Sequence, residues 1–155
     1  MMATRKLLTY AEYMAAEDVA LEKHEFLDGQ VFAMSGGTPE HAALAAACSH
    51  ALSNALAGRP CRVFSSDLRV RIRATGLTTY PDVSVVCGTL ETDAEDPHAI
   101  NDPLLLVEVL SDSTEAHDRG EKAAHYRRIP ALREYVLISQ RQRRVEVYRR
   151  NDADR

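Results

Sequence analysis

The run Leu104-Leu105-Leu106-Val107-Glu108-Val109-Leu110 constrains the fold more than any other segment. It is apolar at both odd and even positions, so a strand built from it must be covered on both faces. That predicts a central strand of a sheet with other layers packed above and below. Glu108 breaks the pattern by placing a carboxylate among aliphatic side chains. A carboxylate in such a place has to be neutralised, hydrogen-bonded or set against a cation. The cation is either an arginine or lysine of the chain or a bound metal ion, and residue types alone leave both open.

The other segments supply the layers. Thr9 to Ala16 reads as a short helix with capping-box spacing between Thr9 and Glu12. In His24-Glu25-Phe26-Leu27-Asp28-Gly29-Gln30-Val31-Phe32-Ala33-Met34, an Asp-Gly step joins two β-prone runs, which predicts a hairpin. Thr38-Pro39 opens an Ala- and Leu-rich helix running to about Ala57, with Gly58 and Pro60 ending it. From Leu68 to Arg73, apolar residues alternate with Arg69, Arg71 and Arg73, which predicts a strand with the arginines on one face. After a turn at Gly76, Tyr80 to Cys87 reads as a second strand, and the polar segment 88–102 as an exposed loop. Asp118 and Glu121 are expected to cap a helix that carries Lys122 and Tyr126 and stops before Pro130. Two strands follow, near Glu134–Ile138 and Arg144–Tyr148. With no internal repeat, linker or low-complexity tract, residues 1–155 read as one α/β domain with a mixed sheet.

Composition narrows the classes of function. A hydrophobic fraction of 45% and a charged fraction of 27% suit a soluble domain. No apolar run approaches membrane-spanning length, and the mixed charges of residues 1–26 do not read as a signal peptide. Cys48, Cys61 and Cys87 are scattered, odd in number and without a CxxC pair. The expectation is therefore neither zinc nor a disulfide framework, and a reducing compartment, the cytoplasm. A net charge of −4 and a pI near 5.9 argue against tight non-specific binding to nucleic acid, but leave room for a local basic surface. There is no GxGxxG, Walker loop, GxSxG or HExxH.

Asp82 opens the β run directly after Pro81. If its strand neighbours that of Glu108, two carboxylates converge at one end of the sheet, a setting of rigid oxygen donors suited to Mg²⁺. Asp82 is equally readable as a strand-entry turn residue. Lys122 lies fourteen positions after Glu108 and reads either as a group folding back over the strand end or as a solvated helix lysine. The expected orientation is into the Asp82–Glu108 cleft, with Lys122→Ala leaving folding nearly intact because a helix-surface alanine is well tolerated.

These residues together resemble the Uma2 family (formerly DUF820) of the PD-(D/E)XK nuclease superfamily. The matching pieces are His24-Glu25-Phe26-Leu27-Asp28-Gly29, Pro39-Glu40-His41 and Pro81-Asp82-Val83-Ser84-Val85-Val86. They continue through Leu106 to Thr114, Asp118, Lys122 to Tyr126, and Glu134-Tyr135. The ordered set spans residues 7 to 150. The resemblance implies a restriction-endonuclease-like core: a mixed β-sheet flanked by helices, here with an N-terminal helix and β-hairpin. It implies Asp82 and Glu108 as Mg²⁺ ligands, with the Val109 carbonyl as a third and Mn²⁺ as a substitute. The superfamily's lysine usually follows the second acid by two positions, where this chain has Leu110; the resemblance moves that role to Lys122.

Around this centre, Glu25 resembles an additional acid, or is a hairpin surface residue. His41 is either a supporting base or phosphate contact, or a surface histidine at a helix start. Ser111 and Thr114 either donate to a phosphate or shape the turn. The Arg69-Arg71-Arg73 row either lies along a nucleic-acid backbone or is a solvated sheet face. The functional expectation is a Mg²⁺-dependent endonuclease hydrolysing phosphodiester bonds of nucleic acid, DNA ahead of RNA. A homodimer would suit cutting two strands. The alternatives are a catalytically inactive nuclease fold used for binding or assembly, and metal-assisted hydrolysis of another phosphate ester.

Overall fold

The computed structural model describes residues 6–34 and 36–151. Residues 1–5, 35 and 152–155 of the expected 1–155 domain lie outside the described residues. Helix α1 (Tyr10–Val19) is capped as its sequence predicts. The Thr9 hydroxyl accepts from the Glu12 amide at 3.1 Å and Glu12 accepts from the Thr9 amide at 3.0 Å. Strands β1 (His24–Leu27) and β2 (Gln30–Ala33) form the expected hairpin, with Asp28 (φ 51) and Gly29 (φ 80) both left-handed, as a two-residue turn of this kind requires. Helix α2 (Pro39–Ala55) starts at Thr38, whose hydroxyl caps the His41 amide.

The core sheet is mixed. Strands β3 (Cys61–Phe64), β6 (Val83–Cys87), β8 (Leu105–Val109), β9 (Glu134–Ile138) and β10 (Val145–Arg149) stand in the order β10-β9-β8-β6-β3. As its apolar run predicts, β8 is central, parallel to β9 and antiparallel to β6. Its alternation sorts the layers. Val107 packs with Val83, Val136 and the α2 residues Cys48 and Leu52. Leu106 faces the other way, into a larger core with Tyr126, Ile129, Tyr135 and Leu137. Each such aliphatic side chain, fully buried, contributes about 1.5–3 kcal/mol. By the same alternation Glu108 faces the side of Leu106.

The helix expected to be capped by Asp118 and Glu121 is two short helices, α3 (Glu115–Arg119) and α4 (Glu121–Tyr126), divided at Gly120. Neither expected cap forms a side-chain cap bond. Asp118 lies inside α3 and is buried, because its carboxylate turns inward toward Lys122.

A second five-stranded sheet, order β2-β1-β5-β4-β7, was not foreseen. It adds β4 (Arg69–Arg71), β5 (Thr78–Thr79) and β7 (Ala99–Ile100) to the hairpin. The segment 88–102 is therefore not the exposed loop that its acidic composition suggested. Ala99 and Ile100 are buried in β7, and Asp93 and Asp96 are buried too. The reason is charge pairing. Asp93 accepts from Arg71 at 3.0 Å and from Arg73 at 2.7 Å, while Asp96 stands 3.4 Å from Arg69. The arginine row thus alternates with buried Val70 and Ile72 as expected; Arg69 and Arg71 are largely covered, while Arg73 stays exposed even though it is paired. Its partners come from the acidic loop, and Arg69 itself is only 4% exposed.

The cysteine expectation is corrected as well. Cys61 and Cys87 stand directly opposite each other in the β3–β6 pair and form a disulfide, leaving Cys48 free. Their separation of 26 residues concealed a pairing set by strand register.

Asp93 yields a test of the second sheet. Burial alone would raise its pKa, but bonds from Asn101, the Glu95 amide, Arg73 and Arg71 prevail and hold it down at about 2. A depressed pKa contributes stability above the unfolded value and loses it as pH falls through the folded one. We expect Asp93→Asn to cost about 2–4 kcal/mol in urea unfolding at neutral pH. The gap to the parent protein should close as pH falls from about 4 to about 2. A gap independent of pH would mean that the Asp93 charge does not hold the loop.

Candidate active site

Four elements bring acidic residues to one end of the core sheet. Asp82 directly precedes β6, and its Oδ2 accepts from the Val109 amide at 2.7 Å, which pins it across the end of β8. His41, in the first turn of α2, puts Nε2 3.2 Å from the same oxygen. Glu25 comes from the hairpin strand β1 and accepts from the Thr79 hydroxyl at 2.6 Å. Asp118 comes from α3.

Glu108 and Lys122 lie at the centre. Lys122, the second residue of α4, is 4% exposed. Its Nζ stands 3.4 Å from Glu108 Oε1, 3.8 Å from Asp118 Oδ1 and 3.9 Å from Glu25 Oε2. The Tyr126 hydroxyl donates to the same Glu108 oxygen at 2.8 Å. So the ammonium points inward, and the reading of Lys122 as a solvated helix lysine is corrected. The expectation that Lys122→Ala would leave folding intact falls with it, since the side chain is the counter-charge of three carboxylates.

Charge at the centre is unbalanced. Glu25, Asp82, Glu108 and Asp118 oppose a single ammonium. Burial foremost pushes Glu108 up to about 8; Lys122 pulls it back, while Asp82 and Asp118 push it further up. Burial likewise raises the Asp118 carboxyl against the pull of Lys122. For Lys122, burial would lower the pKa, but Glu108, Glu25 and Asp118 outweigh it and hold the group above the ordinary lysine range. The lysine is therefore charged throughout the neutral range.

The cleft over these groups has a volume of about 660 Å³. It gathers Glu25, His41, Asp82, Glu108, Val109, Ser111, Thr114, Asp118 and Lys122. The Ser111 and Thr114 hydroxyls bond each other at 2.8 Å on its rim. Arg69, Arg71 and Arg73 do not line it. Two residues were undervalued in the sequence. Asp118 was read as a cap, and Tyr126 had no assigned role. Both lie four positions from Lys122: Tyr126 shares its helical face in α4, and Asp118 reaches it across the break at Gly120.

The donor set suits a hard cation. Asp82 and Glu108 offer carboxylate oxygens and Val109 a backbone carbonyl, the ligand type Mg²⁺ takes. Among the described residues, no three His, Cys, Asp or Glu side chains are grouped so as to hold a metal ion by themselves. A cation here would draw on water or phosphate oxygens as well, which is how Mg²⁺ is commonly bound beside phosphates.

Residues 10–155 match the family Uma2, described as "Putative restriction endonuclease". The chain belongs to the Uma2 family. It is 41% identical to the uncharacterized protein slr1290 of Synechocystis sp. over 94% of this chain and 75% of the relative. It is 37% identical to the uncharacterized protein sll1609 of the same organism, over 96% and 84%. A crystal structure from Anabaena variabilis, described as "a putative nuclease belonging to DUF820", superposes with a TM-score of 0.73. It covers 92% of this chain and 79% of its own at 19% identity, a likeness of fold. In this Uma2 chain the helix-flanked mixed sheet, N-terminal helix and hairpin expected from the sequence are all present.

Lys122→Ala leaves buried carboxylates without their counter-charge. We expect it to cost about 3 kcal/mol at neutral pH, read by urea unfolding. The loss should shrink as pH falls through about 8, where Glu108 takes up its proton, and further in acid as Asp118 does. Tyr126→Phe removes only one hydrogen bond and should cost about 1 kcal/mol. A Lys122→Ala protein as stable as its parent at neutral pH would contradict the buried ion cluster.

Proposed function

We propose that this cleft hydrolyses phosphodiester bonds of nucleic acid, DNA ahead of RNA, as a PD-(D/E)XK-type endonuclease. One observation carries the reading. A buried lysine and an excess of fixed carboxylates share an open cleft at the end of a rigid sheet. The family description and the nuclease described for the Anabaena structure support it. So large a surplus of negative charge would repel a phosphodiester unless a cation intervened. Asp82, Glu108 and the Val109 carbonyl would hold Mg²⁺, or Mn²⁺ in its place. When bound, the metal supplies charge on the phosphate oxygens and a more acidic attacking water.

The chain's own groups do the rest. The Val109 amide fixes Asp82, and the Tyr126 hydroxyl with the Lys122 ammonium fixes Glu108. Held this way, the donors need little rearrangement during the reaction. Lys122 keeps a positive charge beside the reacting centre, the role that Leu110 cannot fill. His41 braces Asp82, and the Ser111 and Thr114 hydroxyls, which bond each other at the cleft, would turn to donate to non-bridging oxygens. Glu25, tied to Thr79, limits how far Lys122 can shift. A homodimer would present two clefts to the two strands of a duplex. The Cys61–Cys87 disulfide removes the cysteine argument for a reducing compartment, so a cytoplasmic location rests on the nucleic-acid substrate alone; no helix among the described residues is long and apolar enough to cross a membrane.

A second reading, a catalytically silent nuclease fold used for binding or assembly, is favoured by one feature. Lys122 is engaged by three carboxylates, so a phosphate must compete for it.

The deciding assay is Mn²⁺-dependent cleavage of single- and double-stranded DNA and RNA. Asp82→Asn keeps an oxygen for the Val109 amide, so the fold should survive while turnover falls on the order of a hundredfold. Mn²⁺ should raise the melting temperature of the parent and not of Asp82→Asn. Absence of cleavage on all four substrates would select the silent reading.

A further inference from the structure

The C-terminal part of the chain has a charge opposite to the rest. Residues 127–155 contain nine arginines, no lysine and four carboxylates, a net of +5. Residues 1–126 contain ten Lys and Arg against nineteen Asp and Glu, a net of −9, and the two parts sum to the −4 of the whole. Five of these arginines, Arg127, Arg128, Arg133, Arg149 and Arg150, line a second cleft of about 770 Å³ between α4 and strands β9 and β10. Arg127, Arg128 and Arg133 are exposed on its border and make no ion pair among the described residues. Two carboxylates near them, Glu134 and Glu146, are already countered by Arg149 and by Arg119 with Arg144. Arg150 is occupied in a different way, donating to the carbonyls of Arg127, Ile129 and Pro130.

From this surface we infer that the α4–β9–β10 cleft is a docking track for the phosphate backbone of a nucleic-acid strand outside the hydrolytic centre. The inference rests on the nuclease reading above and adds where the substrate lies. Three features favour nucleic acid over another polyanion. The cations are all arginine, whose planar fork bonds phosphate oxygens in pairs, whereas a general attraction to anions would be served equally by lysine. The Tyr148 ring is 48% exposed beside them, and the cleft floor is apolar at Leu132 and Val147, surfaces on which bases can stack or rest. Lastly, the track adjoins the hydrolytic centre. The buried Tyr126 bonds Glu108 through its hydroxyl and also borders the arginine cleft, so one core side chain connects the two sites.

The test is the triple substitution Arg127→Gln, Arg128→Gln and Arg133→Gln, made on surface side chains that brace nothing in the fold. Binding is followed by fluorescence anisotropy with a short labelled DNA duplex and its single strand, in EDTA so that neither is cut. Hydrolysis of bis(p-nitrophenyl) phosphate with Mn²⁺ is followed in parallel, because that small diester reaches only the hydrolytic cleft. We expect affinity to fall at least about tenfold and the log–log salt slope to lessen by about 2–3, with small-diester hydrolysis and melting temperature unchanged. Parent-like affinity and salt slope in the triple variant would overturn the track and leave the hydrolytic reading standing. Failure of the parent to bind either probe would also overturn it. Arginine-dependent binding by a parent that hydrolyses nothing would uphold the track and remove the hydrolytic reading.

Discussion

A single buried ammonium holds this site together. Lys122 stands among Glu108, Asp118 and Glu25, which come from the core sheet, α3 and the hairpin respectively. None of these carboxylates would be tolerable at such depth alone, because desolvation of an uncompensated charge outweighs the packing gained around it. The lysine in turn is acceptable there only because they surround it. Each member of the cluster thus makes the others affordable, and three separate parts of the chain are tied to one point. Glu108 remains the weakest member, pushed up to about 8 by burial foremost, with Asp82 and Asp118 adding to the push against the pull of Lys122.

The second sheet follows the same electrostatic rule with a different outcome. Asp93 is buried too, but it faces two arginines and several N–H donors, and its carboxyl is held down at about 2. Here acid and base balance, so the arrangement is structural and closed. At Glu108 they do not balance, and the cleft is open. The contrast separates a stabilising ion network from a candidate reactive one more clearly than burial does, since Asp93 and Glu108 are both 4% exposed.

Much of the architecture was legible because it is written in local patterns. The Thr9–Glu12 cap, the Asp28-Gly29 turn and the Thr38-Pro39 helix start depend on residues within a few positions of one another, and all three formed as read. The central position of β8 followed from its lack of a polar face. The site was partly legible for a similar reason: a carboxylate inside an apolar strand and an acid after Pro81 are anomalies visible in one dimension. The readings that failed share a different character. Asp118 looked like a helix cap because its neighbours in sequence suited that role, whereas its partner is an ammonium buried by tertiary packing. The acidic loop looked solvated because nothing local hinted that Arg71 and Arg73 would meet it.

By itself, then, the sequence determined the N-terminal helix, the hairpin turn, the start of α2, which strand is central, and that Glu108 would need a counter-charge. Periodicity and capping act over a few residues, and the cost of burying a charge is known without coordinates. Only the tertiary structure decided which cation answers Glu108, that Asp93 and Asp96 neutralise the arginine row, and that Cys61 meets Cys87. Those outcomes depend on strand register and on side chains brought together from distant positions. A local pattern states that a partner is required, and only the folded chain determines which residue it is.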